Sequence, residues 1–313
     1  VETFVGSSGR VFPTAFKAAP MLRAWLRRLD GAGVQLLTRT QWQGWTPEGA
    51  LAVSGPEGGF SLSADLCVLA LGGASWPRLG SDGAWVGALN ASGVSVTAFR
   101  PANAGILCDW SPVFAERFAG QPLKPVRVSA GPLTSRGEVM VTRQGLEGGG
   151  IYAVLPPLRT AFEQGEPAVV SLDLMPDLAL APLTDKLGEL MRKAGGQSLS
   201  TVLKRLGLGP VALGLLREGQ IRLNGTPDLP RHAPLLATLI KAVPVPITGL
   251  AGLDRAISSA GGVSWDSVSP TLELTARPGV WVCGEMLDWE APTGGYLLQA
   301  CLASGHWVGR HAG

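Results

Sequence analysis

One apolar run constrains this chain more than any other feature. Leu66-Cys67-Val68-Leu69-Ala70-Leu71 is unbroken, and it ends at Gly72-Gly73. A short run bounded by glycines fits a strand buried on both faces, as in a parallel sheet covered by helices. A second run of the same kind, Gly279-Val280-Trp281-Val282-Cys283-Gly284, lies near the other end of the sequence. It leads into a polar loop, Glu285–Thr293, then Gly294-Gly295 and a helical pattern over Tyr296–Val308. Strand, loop, glycine pair and helix form a ligand site at the C-terminal ends of strands in an open α/β sheet. Taken alone the glycines are ambiguous, because glycine after a strand more often just turns the chain.

The remaining pattern surrounds these two runs. Met21, Leu22, Trp25, Leu26 and Leu29 form one face of a helix, with Pro20 in its first turn and Gly31 as its stop. Val34–Thr40 reads as a strand, Leu51–Val53 with Phe60–Leu62 as a hairpin, Gly83–Gly93 as a helix and Val94–Ala98 as a strand. From Arg100 short β-like runs recur (Gly105–Cys108, Val126–Ala130, Glu138–Thr142, Ala168–Leu174), which predicts a small antiparallel barrel or sandwich. A helix start follows the glycines at 148–150. Pro176–Pro244 reads as a helical packing domain with helices at Leu183–Ala194, Leu199–Leu206, Val211–Arg217 and Leu235–Ala242, and with Thr184 and Ser198 as candidate N-caps.

Composition narrows the function classes. Of 313 residues, 46% are hydrophobic and only 16% charged, with a net charge of +2, which excludes a polybasic nucleic-acid or membrane binder. No apolar run is long enough for a transmembrane helix. The four cysteines (Cys67, Cys108, Cys283, Cys301) form no C-x-x-C, and three of them lie in apolar runs, so they read as buried thiols in a reducing, cytoplasmic setting. The three histidines lack metal-ligand spacing with any cysteine, so no metal is expected. G-x-S-x-G and G-x-x-x-x-G-K-[ST] are both absent, which removes the corresponding hydrolase and phosphate-transfer readings.

The segment from Cys283 to Ala300, with Trp289-Glu290-Ala291-Pro292-Thr293-Gly294-Gly295-Tyr296-Leu297-Leu298-Gln299 at its centre, resembles the C-terminal flavin motif of a bacterial FAD-binding family. That family includes aminoacetone-oxidase-like flavoproteins and bile-acid enone reductases. Ser259-Ala260-Gly261-Gly262-Val263, the stretch from Leu69 to Gly80, Gly9-Arg10-Val11-Phe12-Pro13 and the stretch from Thr142 to Gly149 resemble further family elements, in family order. The wording around Trp289 is most similar to the aminoacetone-oxidase-like branch. The resemblance implies a discontinuous Rossmann-like FAD domain over 1–99 and 245–313, interrupted by a β insertion at 100–175 and a helical insertion at 176–244.

The resemblance also implies the site. Gly294, Gly295 and Tyr296 would present helix N-terminal N–H groups to the electron-rich edge of flavin. Gly72 and Gly73 would let backbone pass close to the cofactor, and Gly284, Glu285 and Asp288 would be polar contacts. Asp288 as a local cap or turn is the competing reading. Trp42 falls where an adenine contact is expected, with core packing as its competitor. Arg10, Phe12 and Trp289 are the substrate-side candidates; Arg10 fits a structural ion pair and Trp289 a core position equally well. No catalytic acid or base emerges, since flavin carries the hydride chemistry and the protein orients and tunes it.

The implied function is an FAD-dependent oxidoreductase moving a hydride between flavin and a small amine or enone, with NAD(P)H as a further electron donor. Small molecules are the expected partners, with no nucleic acid and no membrane; the oligomeric state is not legible. Family members begin with a strand, G-x-G-x-x-G and a helix that hold the pyrophosphate, and no such unit occurs here. The resemblance therefore implies a chain lacking that ~30-residue unit. Such a chain would bind FAD weakly and associate through an uncovered face at Leu66–Leu71. Its competing reading is a cofactor-free, inactive fragment.

Overall fold

The computed structural model describes residues 1–7 and 9–313. The two glycine-bounded runs meet. Cys67–Leu69 pairs in parallel with Val280–Val282, with Val280 opposite Cys67 and Val282 opposite Leu69. The expected burial on both faces holds for Val280–Val282, which is buried throughout. It fails for Cys67–Leu69, where Val68 is 41% exposed while Leu69 is buried, so only one face of this strand is covered. The core around the pair collects Leu69, Trp85, Leu89, Leu272, Leu274, Val282, Met286 and Val308. An antiparallel sheet, Gln41–Trp45, Leu51–Gly55 and Gly58–Leu62, lies beside it, with Trp42 and Trp45 against that core.

A separate core is filled by residues between Ala104 and Ala256. It joins a seven-stranded sheet to the helices Leu155–Glu163, Leu180–Lys193, Leu199–Leu206, Pro210–Asn224 and Ala233–Lys241. Leu172, Leu187, Leu203, Leu215 and Leu236 are all fully buried in it, so no break in packing marks the expected boundary at 175/176.

The strands run across the sheet as Val243–Pro246, Val169–Asp173, Pro122–Ala130, Leu133–Val141, Gly145–Glu147, Ile106–Leu107 and Gly249–Leu250. One segment, 243–250, thus supplies both edges. Between its halves, Ile247 N–H donates to Ala168 and Thr248 N–H to Leu107, at 3.0 and 2.8 Å. The halves make no ladder with each other, so the sheet is open rather than the expected barrel. Pro244 and Pro246 lie on an edge strand, where a missing N–H is tolerated.

Local chemistry explains the helix ends. Ser198 Oγ accepts from Thr201 N–H at 3.3 Å, as a cap should, and Gly207 closes that helix at φ 103°. Thr184 is not a cap. The helix starts earlier, at Leu180, and the Thr184 hydroxyl bonds back to the Leu180 carbonyl at 2.9 Å. Val34–Thr40 is not a strand: among the described residues no strand pairs with it, and Val34, Leu36 and Leu37 are exposed. The helix Ala18–Gly31 forms as expected but buries no residue. Ahead of it, Thr3–Val5 and Val11–Pro13 form a hairpin; Ser8, in the glycine/serine loop between them, lies outside the described residues. Among the described residues no helix is long and apolar enough to cross a membrane.

Candidate functional site

Parallel pairing brings both strand ends to one place. Cys283 N–H donates to the Leu69 carbonyl at 3.1 Å, so Gly72-Gly73 and Gly284 leave the sheet at the same end. Gly72 has φ 77°, and its carbonyl accepts from Trp85 Nε1 at 3.1 Å. Gly73 is confined by the protein itself: a Cβ there would collide with the hydroxyl of Ser259 and the side chain of Glu285. Ser259 links three segments. Its Oγ accepts from Ala74 N–H at 3.1 Å and donates to Glu285 Oε1 at 3.1 Å, while its own N–H donates to the same oxygen at 3.0 Å. Glu285 is thus engaged in holding the Gly73 turn against the strand Ser258–Val263.

The other end of the site is a helix start. Gly284, at φ 77°, donates its N–H to Ser304 Oγ of the helix Tyr296–His311 at 3.0 Å. Gly294 and Gly295 precede that helix at φ 115° and 93°, backbone that glycine adopts without strain. Among the described residues no side chain caps the helix, and its first turn holds no acidic residue. Its leading N–H groups therefore keep their partial positive charge. A Cβ on Gly295 would meet nothing within 4 Å, whereas one on Gly294 would lie 3.0 Å from the Arg10 guanidinium. Arg10 is thereby placed beside the helix start, with Tyr296 59% exposed beyond it.

The loop between these features is fixed from three directions. Asp288 Oδ2 accepts from Thr97 Oγ1 at 2.7 Å, its N–H donates to the Val263 carbonyl at 3.0 Å, and its carbonyl accepts from Trp265 Nε1 at 2.8 Å. Glu290 receives both arms of the Arg159 guanidinium at 2.9 and 2.5 Å, and Arg159 also donates to the Pro101 carbonyl at 3.0 Å. The Ala291 carbonyl accepts from Asn103 Nδ2 at 2.8 Å. Trp289 stands between these anchors, half exposed. Phe12 stacks with Phe4 and Phe16 in the N-terminal hairpin region. Trp42 meets Trp45 edge-on at 4.8 Å, and its buried indole N–H has no acceptor among the described residues.

Ser259, Arg159 and Asn103 are the positions that sequence reasoning did not single out. Ser259 had a signal in the glycine-rich stretch it opens. Arg159 was detectable only as a charge between the apolar residues of its helix, Leu155–Glu163. Asn103 adopts φ 51°, a conformation Asn tolerates better than most residues. All four cysteines are free. Burial pushes the Cys283 and Cys301 thiols up, and the Glu285 carboxylate adds to the effect at Cys301. Both therefore stay protonated at neutral pH and are poor nucleophiles. Among the described residues no group of His, Cys, Asp or Glu is placed to hold a metal.

The sequence model of the family described as "HI0933-like protein Rossmann domain" matches residues 1–311. The chain belongs to the HI0933-like family. This family is of the FAD-dependent oxidoreductase type. The chain is 26% identical over 260 residues to the 3-dehydro-bile acid delta(4,6)-reductase of Clostridium scindens, covering 81% of this chain and 63% of that protein. It thus spans less than two thirds of the length of that relative. The 3-ketosteroid delta1-dehydrogenase of Sterolibacterium denitrificans, solved with 1,4-androstadiene-3,17-dione, is 14% identical with a TM-score of 0.41, covering 91% of this chain and 61% of that one.

Proposed function

We propose that this HI0933-like chain binds FAD and passes a hydride between it and an unsaturated carbonyl compound. One observation supports the reading: the parallel pair delivers Gly72-Gly73 and Gly284 to the same sheet end, and Gly284 is tied through Ser304 to a helix whose start no described side chain caps. Flavin fits that start. Open space at Gly295 admits a planar ring edge, and the first-turn N–H groups and Arg10 match the negative charge of reduced flavin. Bound FAD would supply hydride acceptance and donation. The residues of this chain bind and orient. Gly294, Gly295 and Tyr296 would hold the electron-rich edge of flavin, Gly72 and Gly73 would lie along the cofactor, and Trp289 would stand on the substrate side. Glu285 and Asp288 act indirectly, by holding the loops through Ser259 and Thr97. NAD(P)H is the proposed electron donor and the cytoplasm the proposed compartment.

The bile-acid reductase relative supports a carbonyl-conjugated substrate. Oxidation of a small amine, as in the aminoacetone-oxidase-like branch, is the second reading, favoured by the Trp289–Gln299 wording. Flavin absorbance after titration with FAD tests the site. Gly295→Val should weaken FAD binding tenfold or more, while Ser259→Ala should weaken it severalfold by releasing Glu285. Unchanged affinity in Gly295→Val removes the assignment. Bleaching of bound flavin by aminoacetone, with no turnover of a 3-oxo-4-ene steroid in the presence of NADPH, would select the amine reading.

A further inference from the structure

Away from this site, the larger core opens into a cavity of about 450 Å³ between the helices Pro112–Phe118, Leu199–Leu206 and Pro210–Asn224. That volume lies within the range of small-ligand pockets, ~300–1,000 Å³. Its floor is apolar: Phe114, Phe118, Leu213 and Ile221. The two rings press against the backbone of Gly214, where a Cβ would sit 2.6 Å from Phe118 and 2.9 Å from Phe114. Glycine at 214 thus keeps aromatic surface available at the bottom of the cavity.

The rim has the opposite chemistry. Arg117, Lys204 and Arg217 each come from a different one of the three helices. Arg217 donates to Ser200 Oγ at 3.1 Å, and Arg117 lies over the Phe118 ring. Among the described residues none of these three cations forms a salt bridge. The one carboxylate in the wall, Glu218, is buried and already engaged by Ser111, another residue of the wall. Its two oxygens accept from the N–H and hydroxyl of Ser111, at 3.0 and 2.5 Å, at the start of the first helix. A cavity with an aromatic floor and three cations to one engaged carboxylate selects an apolar body that carries a negative head.

We infer that this cavity is a binding site for an amphipathic anion, its apolar part on Phe114 and Phe118 and its head among Arg117, Lys204 and Arg217. The site is separate from the flavin-facing glycines, and the inference stands whether or not the flavin reading does.

Calorimetric titration with decanoate, 1-decanol and inorganic phosphate tests it. Decanoate should bind saturably, one molecule per chain, with decanol and phosphate each at least tenfold weaker. The triple variant Arg117→Gln, Lys204→Gln, Arg217→Gln should lose tenfold or more of the decanoate affinity and leave decanol unaffected. Ile221→Trp should fill the floor and abolish both, with circular dichroism confirming its fold. Arg23→Gln, Arg27→Gln, Arg28→Gln, on the exposed helix Ala18–Gly31, should bind decanoate like the parent. Any one of three results overturns the proposal: unchanged decanoate affinity in the rim variant, phosphate binding as tightly as decanoate, or no saturable decanoate binding by the parent chain.

Discussion

Between Ala104 and Ala256 the interior is filled by aliphatic side chains that interlock across one sheet and its helices. Around the parallel pair the apolar core is smaller, and long-range polar bonds do much of the joining: Ser259 to Glu285 and Ala74, Thr97 to Asp288, Arg159 to Glu290, Asn103 to Ala291. The difference has a physical consequence. Apolar burial is non-directional and tolerates adjustment, so it stabilises without fixing any atom closely. Hydrogen bonds and charge pairs hold specific atoms at specific distances, which a site requires. The second region also uses glycines that nothing larger could replace. Gly261 and Gly262 sit at φ 98° and 130°, where a Cβ would strike the Ala98 and Met286 carbonyls. They let the strand Ser258–Val263 approach both the strand Val96–Ala102 and the 284–288 loop.

Substitutions in the two regions should therefore separate stability from site geometry. Leu215→Ala, at a fully buried position in the larger core, should cost about 3 kcal/mol in denaturant unfolding. It should leave FAD affinity within twofold; a matching loss of affinity would merge the two regions into one cooperative unit.

Arg159→Met should cost less, about 2 kcal/mol, because Glu290 keeps 30% of its side chain in water and is not stranded as a fully buried charge would be. Its signature should be local, namely faster proteolysis near Trp289 and weaker FAD binding. A double-mutant cycle with Glu290→Gln should show coupling of at least 1 kcal/mol, and additive effects would break the assignment of a polar clamp.

Ser198→Ala should cost about 1 kcal/mol through loss of a cap, against less than half of that for Thr184→Ala. Equal costs would mean that helix ends in the larger core are set by packing alone.

The sequence carried the parts that local rules govern. Glycine-bounded apolar runs located both members of the parallel pair, and the Gly294-Gly295 step located the helix start. Periodicity found the helix Ala18–Gly31 and the hairpin Leu51–Gly55 with Gly58–Leu62. What local rules do not govern was missed. Val34–Thr40 has strand composition, yet a strand needs a neighbour, and none pairs with it. Sheet closure depended on how 243–250 divides itself between two edges, which composition does not encode. The resemblance implied polar cofactor contacts at Glu285 and Asp288, with a local cap or turn as the competing reading for Asp288. Their partners, Ser259 and Thr97, lie far away in sequence, so their present engagement was invisible there.

The pairing of Cys67 with Val280 also sets an order of assembly. During synthesis the first strand emerges early and waits without its partner while the whole core from Ala104 to Ala256 is made. Once that core folds, it replaces a long flexible tether with a compact clasp, and the entropy cost of bringing the two strands together falls. We expect the glycine site to form after that core. Mutations that slow folding of the distant core should delay the appearance of cofactor affinity in a refolding experiment, without altering the affinity finally reached.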